Sequence, residues 1–199
     1  MLFLQPLEKP SGFFIFYINI IFLKPIFIKM KKIYVFLTFF LFTLCCANAK
    51  NLNFQIVQNN PGQEDVFAMS YLFEQALVDF FFESGHIVSN SPVFIKKDDS
   101  ADKAELKRAL VETIIGSMDI LVRLEVVFIQ EKANSSEVFV LDSIKTVKWN
   151  NYNAKTGKLI STGSENPGPV DATNNNETGV YNFASYVASQ ISSTLKNAK

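Results

Sequence analysis

The chain has 199 residues, with 19 basic and 19 acidic side chains and a formal net charge of zero, a length that allows one domain or at most two. The charge is uneven: residues 1–49 hold five Lys and one Glu, which leaves residues 50–199 with 14 basic and 18 acidic groups, a net of −4. A mildly acidic globular part argues against a dedicated nucleic-acid binder, which carries a basic face.

Residues 1–29 are almost continuously apolar, as in Gly12-Phe13-Phe14-Ile15-Phe16-Tyr17. They read as translated sequence upstream of a true start at Met30. The rival reading is an apolar segment, Phe13 to Ile28, which Lys24-Pro25 interrupts and which is short for a membrane span. Residues 30–49 are expected to be a secretory signal peptide. Met30-Lys31-Lys32 is its basic start and Ile33 to Leu44 its apolar stretch. Ala47-Asn48-Ala49 is an A-x-A site whose small side chains suit signal peptidase, with Lys50 first after the cut. Both cysteines of the chain, Cys45 and Cys46, lie in this leader. A relaxed lipobox would acylate one of them and anchor the protein to a membrane. Cleavage after Ala49 would instead remove both, leaving no disulfide, thiol nucleophile or cysteine metal ligand. The expected location is the periplasm or the extracellular space, with outer-membrane anchoring under the lipidated alternative. Membrane contact is expected only through the leader or a lipid.

Residues 50–199 read as one globular domain, long enough to bury a core without staples. Leu52 to Gln58 alternates as a first strand, with Leu52, Phe54 and Ile56 on one face. Asn60-Pro61-Gly62-Gln63 has the form of a helix start: a capping Asn, Pro at the first helical position, and Gln three after the cap. That helix is expected to run to Ser84 and stop at Gly85, with Met69, Phe73, Ala76, Leu77 and Phe80 at core spacing. It is apolar all round, so it is either sandwiched between layers or offers a hydrophobic patch.

His86 to Ser89 reads as a short second strand ending near Ser91-Pro92. Asp98-Asp99-Ser100 caps a second helix to about Ile115, with Leu106, Leu110 and Ile114 as its inner stripe and Gly116 as its stop. Asp119 to Gln130 is the clearest strand, followed by a polar turn from Glu131 to Ser136. The next strand, Glu137 to Tyr152, is long enough to bend or bulge. Ala154 to Lys158 is a hairpin turn with Gly157 at a positive-φ position, and Leu159 to Gly163 returns as a strand. Residues 166–179 form an Asn-, Pro- and Gly-rich loop. The closing helix carries Val180, Phe183, Ala184, Val187, Ala188, Ile191 and Leu195 at helical period, with Thr178 as its cap. The order β-α-β-α-β-β-β-α predicts an α/β (α+β) two-layer sandwich with a mixed sheet.

Three segments carry a family resemblance: Phe81-Phe82-Glu83-Ser84-Gly85-His86-Ile87-Val88, Ser117-Met118-Asp119-Ile120-Leu121-Val122-Arg123-Leu124, and Asn153-Ala154-Lys155-Thr156-Gly157-Lys158-Leu159-Ile160. They resemble the envelope α/β domains of the curli-export lipoprotein, the penicillin-binding-protein-activator lipoproteins and the amino-terminal domain of the Tol-system propeller protein. In the hairpin, Asn153 stands where that group has Asp. The resemblance spans residues 52–195 and implies a non-catalytic envelope domain that binds other proteins. It carries no binding residues across.

No catalytic, cofactor-binding or metal-binding constellation stands out. His86 is the single histidine, just after a helix stop, where it reads as structural. Asp98-Asp99-x-x-Asp102 lacks the glycine and terminal Glu of a calcium loop and reads as helix capping. Tyr71, Trp149 and Tyr152 are candidates for a partner surface, because aromatic rings anchor protein contacts; for Trp149 core packing is the favoured role. The leading expectation is therefore an exported, non-enzymatic envelope protein that acts as a protein-interaction or assembly-accessory module, with an envelope protein as partner and no cofactor. One alternative is a glycan-acting enzyme using carboxylates such as Asp98, Asp99, Asp119 or Glu125. Another is an apolar-ligand carrier whose Phe-rich first helix lines a cavity. The oligomeric state is not legible.

Overall fold

Alternating branched and aromatic residues build five strands here, and apolar residues at helical spacing build the helices that cover them. The computed structural model describes residues 49–60, 64–129 and 139–197. All of these belong to one of the chain's two compact units, Ala49–Lys199. The elements are β1 (Asn51–Asn59), α1 (Ala68–Glu83), β2 (Ile87–Ile95), α2 (Asp99–Ile115), β3 (Ile120–Phe128), a 3-10 turn (Leu141–Ser143), β4 (Ile144–Asn153), β5 (Leu159–Glu165) and α3 (Glu177–Asn197). Their order and the α/β class are those expected. The sheet runs β2-β1-β3-β4-β5. β1 is parallel to β2 and to β3, and the β3–β4 and β4–β5 pairs are antiparallel. The sheet is therefore mixed.

One face of the sheet packs against α1 and α3. β1 sends Leu52, Phe54 and Ile56 there, and β3 sends Ile120, Val122, Leu124, Val126 and Phe128. The helices answer with Phe73, Ala76, Leu77 and Phe81 from α1 and with the whole expected stripe of α3, Val180 to Leu195. Aromatic rings meet in pairs across this layer: Phe54 with Phe81 at 5.3 Å, Phe67 with Phe128 at 5.1 Å and Phe73 with Phe183 at 6.0 Å. Each fully buried ring or Leu stabilises the fold by about 1.5–3 kcal/mol. Tyr181 Oη of α3 donates to Asp79 of α1 at 3.0 Å, which links the two helices. The apolar α1 thus buries most of its apolar side chains against the sheet and α3, while Tyr71 (55% exposed) and Phe82 (69%) remain on its outer side.

Four boundaries depart from the sequence reading. First, α1 starts at Ala68 with Phe67 as its cap residue and no capping side chain of its own; residues 61–63 of the expected start lie outside the described residues. The acceptor comes from β1 instead. Gln58 Oε1 takes the Phe67 N–H at 2.7 Å and the Ser70 hydroxyl at 2.9 Å, and its Nε2 donates to Asp65 O. Second, β2 runs through Pro92 to Ile95. It is an edge strand, where the missing N–H of Pro breaks no inner ladder, and the β1–β2 register shifts between Gln55 and Val57. Third, β4 begins at Ile144, because Val140 to Ser143 tightens into the 3-10 turn, with Ser143 Oγ donating to Val140 O at 2.6 Å. The expected turn at 131–136 and the start of that strand at 137 lie outside the described residues. Fourth, α3 is capped by Asn176, whose Oδ1 accepts from Gly179 N at 3.0 Å, in place of Thr178.

The two expected left-handed glycines are where the turns need them, Gly85 at φ 81° and Gly157 at φ 63°. Asn153 Oδ1 accepts from both the N–H and the hydroxyl of Thr156. An Asn serves this turn as well as an Asp would, since only an acceptor oxygen is required.

Candidate functional site

The other face of the sheet is built from the intervening residues, which are mostly polar, with Val57 and Leu121 as buried apolar exceptions. β1 places Asn53, Gln55 and Asn59 there, β3 places Arg123 and Glu125, and β2 adds Ser91. Among the described elements only α2 covers this face, and it does so with a small and polar side: Ala109 and Thr113 are its buried residues. Asn53 Nδ2 donates to Ser91 Oγ at 3.0 Å and to Thr113 Oγ1 at 2.9 Å. Arg123 is buried and donates to Gln55 Oε1 at 2.9 Å and to both oxygens of Asp102 at 3.1 and 2.8 Å. Gln55 passes the chain on to Glu105 at 2.6 Å, and Arg108 pairs with Glu105 and Glu112 along α2. Toward the carboxyl ends of β1 and β3, Lys96 Nζ lies 3.1 Å from Glu125 and 3.6 Å from Asp99, while Asn59 Nδ2 donates to Glu125 at 2.7 Å.

The electrostatics follow from this pairing. Burial pushes Asp102 upward, but hydrogen bonds and charge from Arg123, with Lys96 behind, outweigh it and hold the carboxyl below its ordinary range. The Arg108 hydrogen bond lowers Glu105 in the same way, against burial. Lys96 is penalised by burial yet ends above its ordinary value, because Glu125, Asp102 and Asp99 surround it. Burial raises the Tyr152 phenol; the Arg123 charge opposes this and Asp102 adds to it. Every named carboxylate in this network is held by a cation or an amide. Such a network clamps α2 to the sheet.

α2 contacts β2 and β3 but leaves β4 and β5 uncovered on this side. The uncovered strip carries Lys148, Asn150 and Tyr152 of β4, with Thr162 and Ser164 of β5 beside them. Leu110 of α2 borders it, its Cδ1 lying 3.9 Å from where a Cβ on Gly157 would stand. Leu106 and Ile114 share that flank at one-turn spacing. The expected inner stripe of α2 is therefore its half-exposed flank. The sheet beneath α2 is polar, so the small and polar side of the helix faces inward and the branched side is displaced outward. Val111 and Ile115 are more exposed still, Ile115 at 77%.

The three aromatic candidates separate. Trp149 is 3% exposed and packs under the helical layer, so it belongs to no surface. Tyr71 projects from the outside of α1. Tyr152 lies half-buried in the uncovered strip on the opposite face. The sequence reading missed the strip itself, whose only local signal is the alternation Lys148-x-Asn150-x-Tyr152. Of the leader candidates, Ala49 is exposed and Lys50 half-buried; Cys45, Cys46 and Ala47 lie outside the described residues. His86 Nδ1 accepts from the Lys50 backbone N–H at 3.0 Å, and its ring rests on Phe81. Of the carboxylates named for glycan chemistry, Asp99 and Glu125 meet on Lys96, at 3.6 and 3.1 Å from its Nζ, and the other two stand apart. Asp98 caps α2, and Asp119 and Glu125 lie six residues apart along one strand, about 20 Å. Among the described residues no group of His, Cys, Asp and Glu could hold a metal ion, and no helix is long and apolar enough to cross a membrane.

Residues 51–196 match the model of a protein family whose description reads "Uncharacterised protein". The chain belongs to that family. No curated protein matches the chain. Solved structures do. The PelC dodecamer from Paraburkholderia phytofirmans is similar at 12% identity and a TM-score of 0.38, over 75% of this chain and 90% of that one. Lipoprotein GNA1162 from Neisseria meningitidis is similar at 15% identity and a TM-score of 0.37, over 70% and 96% of the two chains. The LpoB C-terminal domain from Salmonella enterica is similar at 9% identity and a TM-score of 0.34, over 60% and 84%.

Proposed function

We propose that residues 50–199 are a non-catalytic protein-interaction module of the bacterial envelope, exported by the leader at 30–49 and working in the periplasm or outside the cell. One observation carries this reading. The second face of the sheet is half covered, and its open half joins a polar β4–β5 strip to an apolar α2 flank. Amides, hydroxyls, one Tyr and a rim of Leu and Ile suit a protein partner. The carboxylates lend little support to glycosidic acid–base chemistry, since Asp99 and Glu125 share Lys96 between them and Asp98 is taken up as a helix cap. The paired Phe rings rest on one another, which favours a filled core over a carrier cavity.

The test is site-specific photo-crosslinking in the full chain, expressed in a Gram-negative host. A photoreactive residue at Lys148 or Leu106 should give a discrete protein adduct, whereas one at Gln75, exposed on α1, should not. Adducts at Gln75 alone, or at none of the three, would overturn the reading.

A further inference from the structure

Lys50 is held at both of its nitrogens. Its backbone N–H donates to His86 Nδ1 at 3.0 Å. Its Nζ donates to Leu195 O at 2.9 Å, in the last turn of α3. Its carbonyl already belongs to the sheet, accepting from Ile87 N at 3.2 Å, and Asn51 opens β1. Ala49, one residue earlier, is exposed. Among the described residues the first that the fold holds is Lys50, immediately after the A-x-A sequence Ala47-Asn48-Ala49.

We propose that Lys50 is the amino terminus of the processed protein, and that His86 and the carboxyl end of α3 form a socket for its two ammonium groups. Signal peptidase adds water across the Ala49–Lys50 amide: hydroxyl goes to the Ala49 carbonyl carbon and a proton to the Lys50 nitrogen. The released amine takes up a further proton from solvent at neutral pH. Its position beside His86 Nδ1 is kept, because the contact exists before the cut as an N–H donor and afterwards as an ammonium donor. A neutral imidazole protonated at Nε2 is the form that accepts there. Burial, the largest influence, and the charges of Lys50 and Lys196 outweigh the raising effect of the Lys50 backbone contact and hold His86 below its ordinary pKa, which agrees with the accepting, neutral form. The Lys50 side chain meets the free carbonyls at the negative end of the α3 dipole, where a cation is favoured. The inference supplies a role for the single histidine that the interaction surface does not use, and it does not depend on that surface.

The experiment uses the full chain with a carboxy-terminal tag, expressed in a host with a Sec pathway and recovered from the envelope fraction. Amino-terminal sequencing and intact mass should show Lys50 first, without acyl groups. A mature protein beginning at an acylated Cys45 or Cys46, or at any other residue, would overturn the proposal. On the processed protein, labelling of the α-amine by an activated ester is then timed against the His86→Ala and His86→Asn variants. The α-amine should react several-fold faster in His86→Ala, and His86→Asn, which retains an acceptor oxygen, should restore part of the protection. Circular dichroism identifies any variant that has unfolded. If His86→Ala has unfolded, the socket is tested by comparing wild-type labelling in the folded state and in denaturant. Equal rates in either comparison would overturn the socket.

Discussion

Gly163 and Trp149 sit opposite each other on β5 and β4, and a Cβ on Gly163 would run into the indole ring. Gly163→Ala should therefore displace Trp149 and destabilise the fold by about 1–3 kcal/mol. The measurement is a lower urea midpoint at unchanged m-value; an unchanged midpoint would refute it. The alternation around Trp149 was legible in the sequence and favoured a core role, but the need for Gly163 was not. That need exists only across a strand pair, and local sequence does not state the pairing. Asp102 offers a pH test. Its folded pKa lies below the ordinary carboxylate value, so its pairing with Arg123 contributes fully above about pH 4. The contribution is lost as pH falls through the lowered folded value. Asp102→Asn should cost about 1–2 kcal/mol at neutral pH, toward the lower figure because Asp102 is partly solvated. It should also flatten the loss of stability below about pH 4. Wild-type and variant curves that run parallel through that window would contradict the assignment.

Helices α1 and α2 show how an element can be legible while its ends and orientation are not. The periodicity of Met69 to Phe80 marked α1, although the buried ring of its last turn is Phe81 and not Phe80, and its first turn depends on Gln58, a strand residue whose amide reaches the Phe67 N–H. Gln58→Ala leaves that buried donor without its acceptor and opens a gap. The expected cost is about 2–4 kcal/mol, seen in thermal or urea unfolding; a cost under half a kilocalorie would show that the start of α1 is satisfied otherwise. In α2 the cap was legible, since Asp98 accepts from Ser100 N and Ala101 N, both at 2.8 Å. Asp98→Ala should cost about 1 kcal/mol. The inward side of α2 was not legible. Ordinary periodicity points Leu106, Leu110 and Ile114 at a core, but the surface that α2 meets is Asn53, Gln55, Ser91 and Arg123. A helix packs the side that its partner can satisfy, and here that side is Ala109, Thr113, Asp102 and Glu105.

At the scale of the whole domain, the two faces of the sheet have different tasks. The α1–α3 side contains the aromatic core and sets stability. The α2 side contains a polar clamp over β2, β1 and β3 and an open strip over β4 and β5. Substitutions on the strip should separate binding from folding. Lys148→Glu is exposed and should move stability by no more than about 0.5 kcal/mol, while reducing the crosslinked adduct several-fold. Equal loss of folding and adduct would place Lys148 in the structure alone.

The amino-acid sequence by itself determined the element order, the apolar face of β1, the stripe of α3, the two left-handed glycine turns and the α/β class. Each of these depends on local periodicity or on one residue's backbone freedom. Tertiary structure alone decided that Gln58 starts α1, that Pro92 is tolerated on a sheet edge, that α2 turns its branched side outward and that Trp149 needs a glycine opposite it. It also brought His86 against Lys50, 36 residues away in sequence. The physical reason is common to all five: each outcome depends on which surface lies opposite, and strand order and crossover, not local spacing, choose that surface.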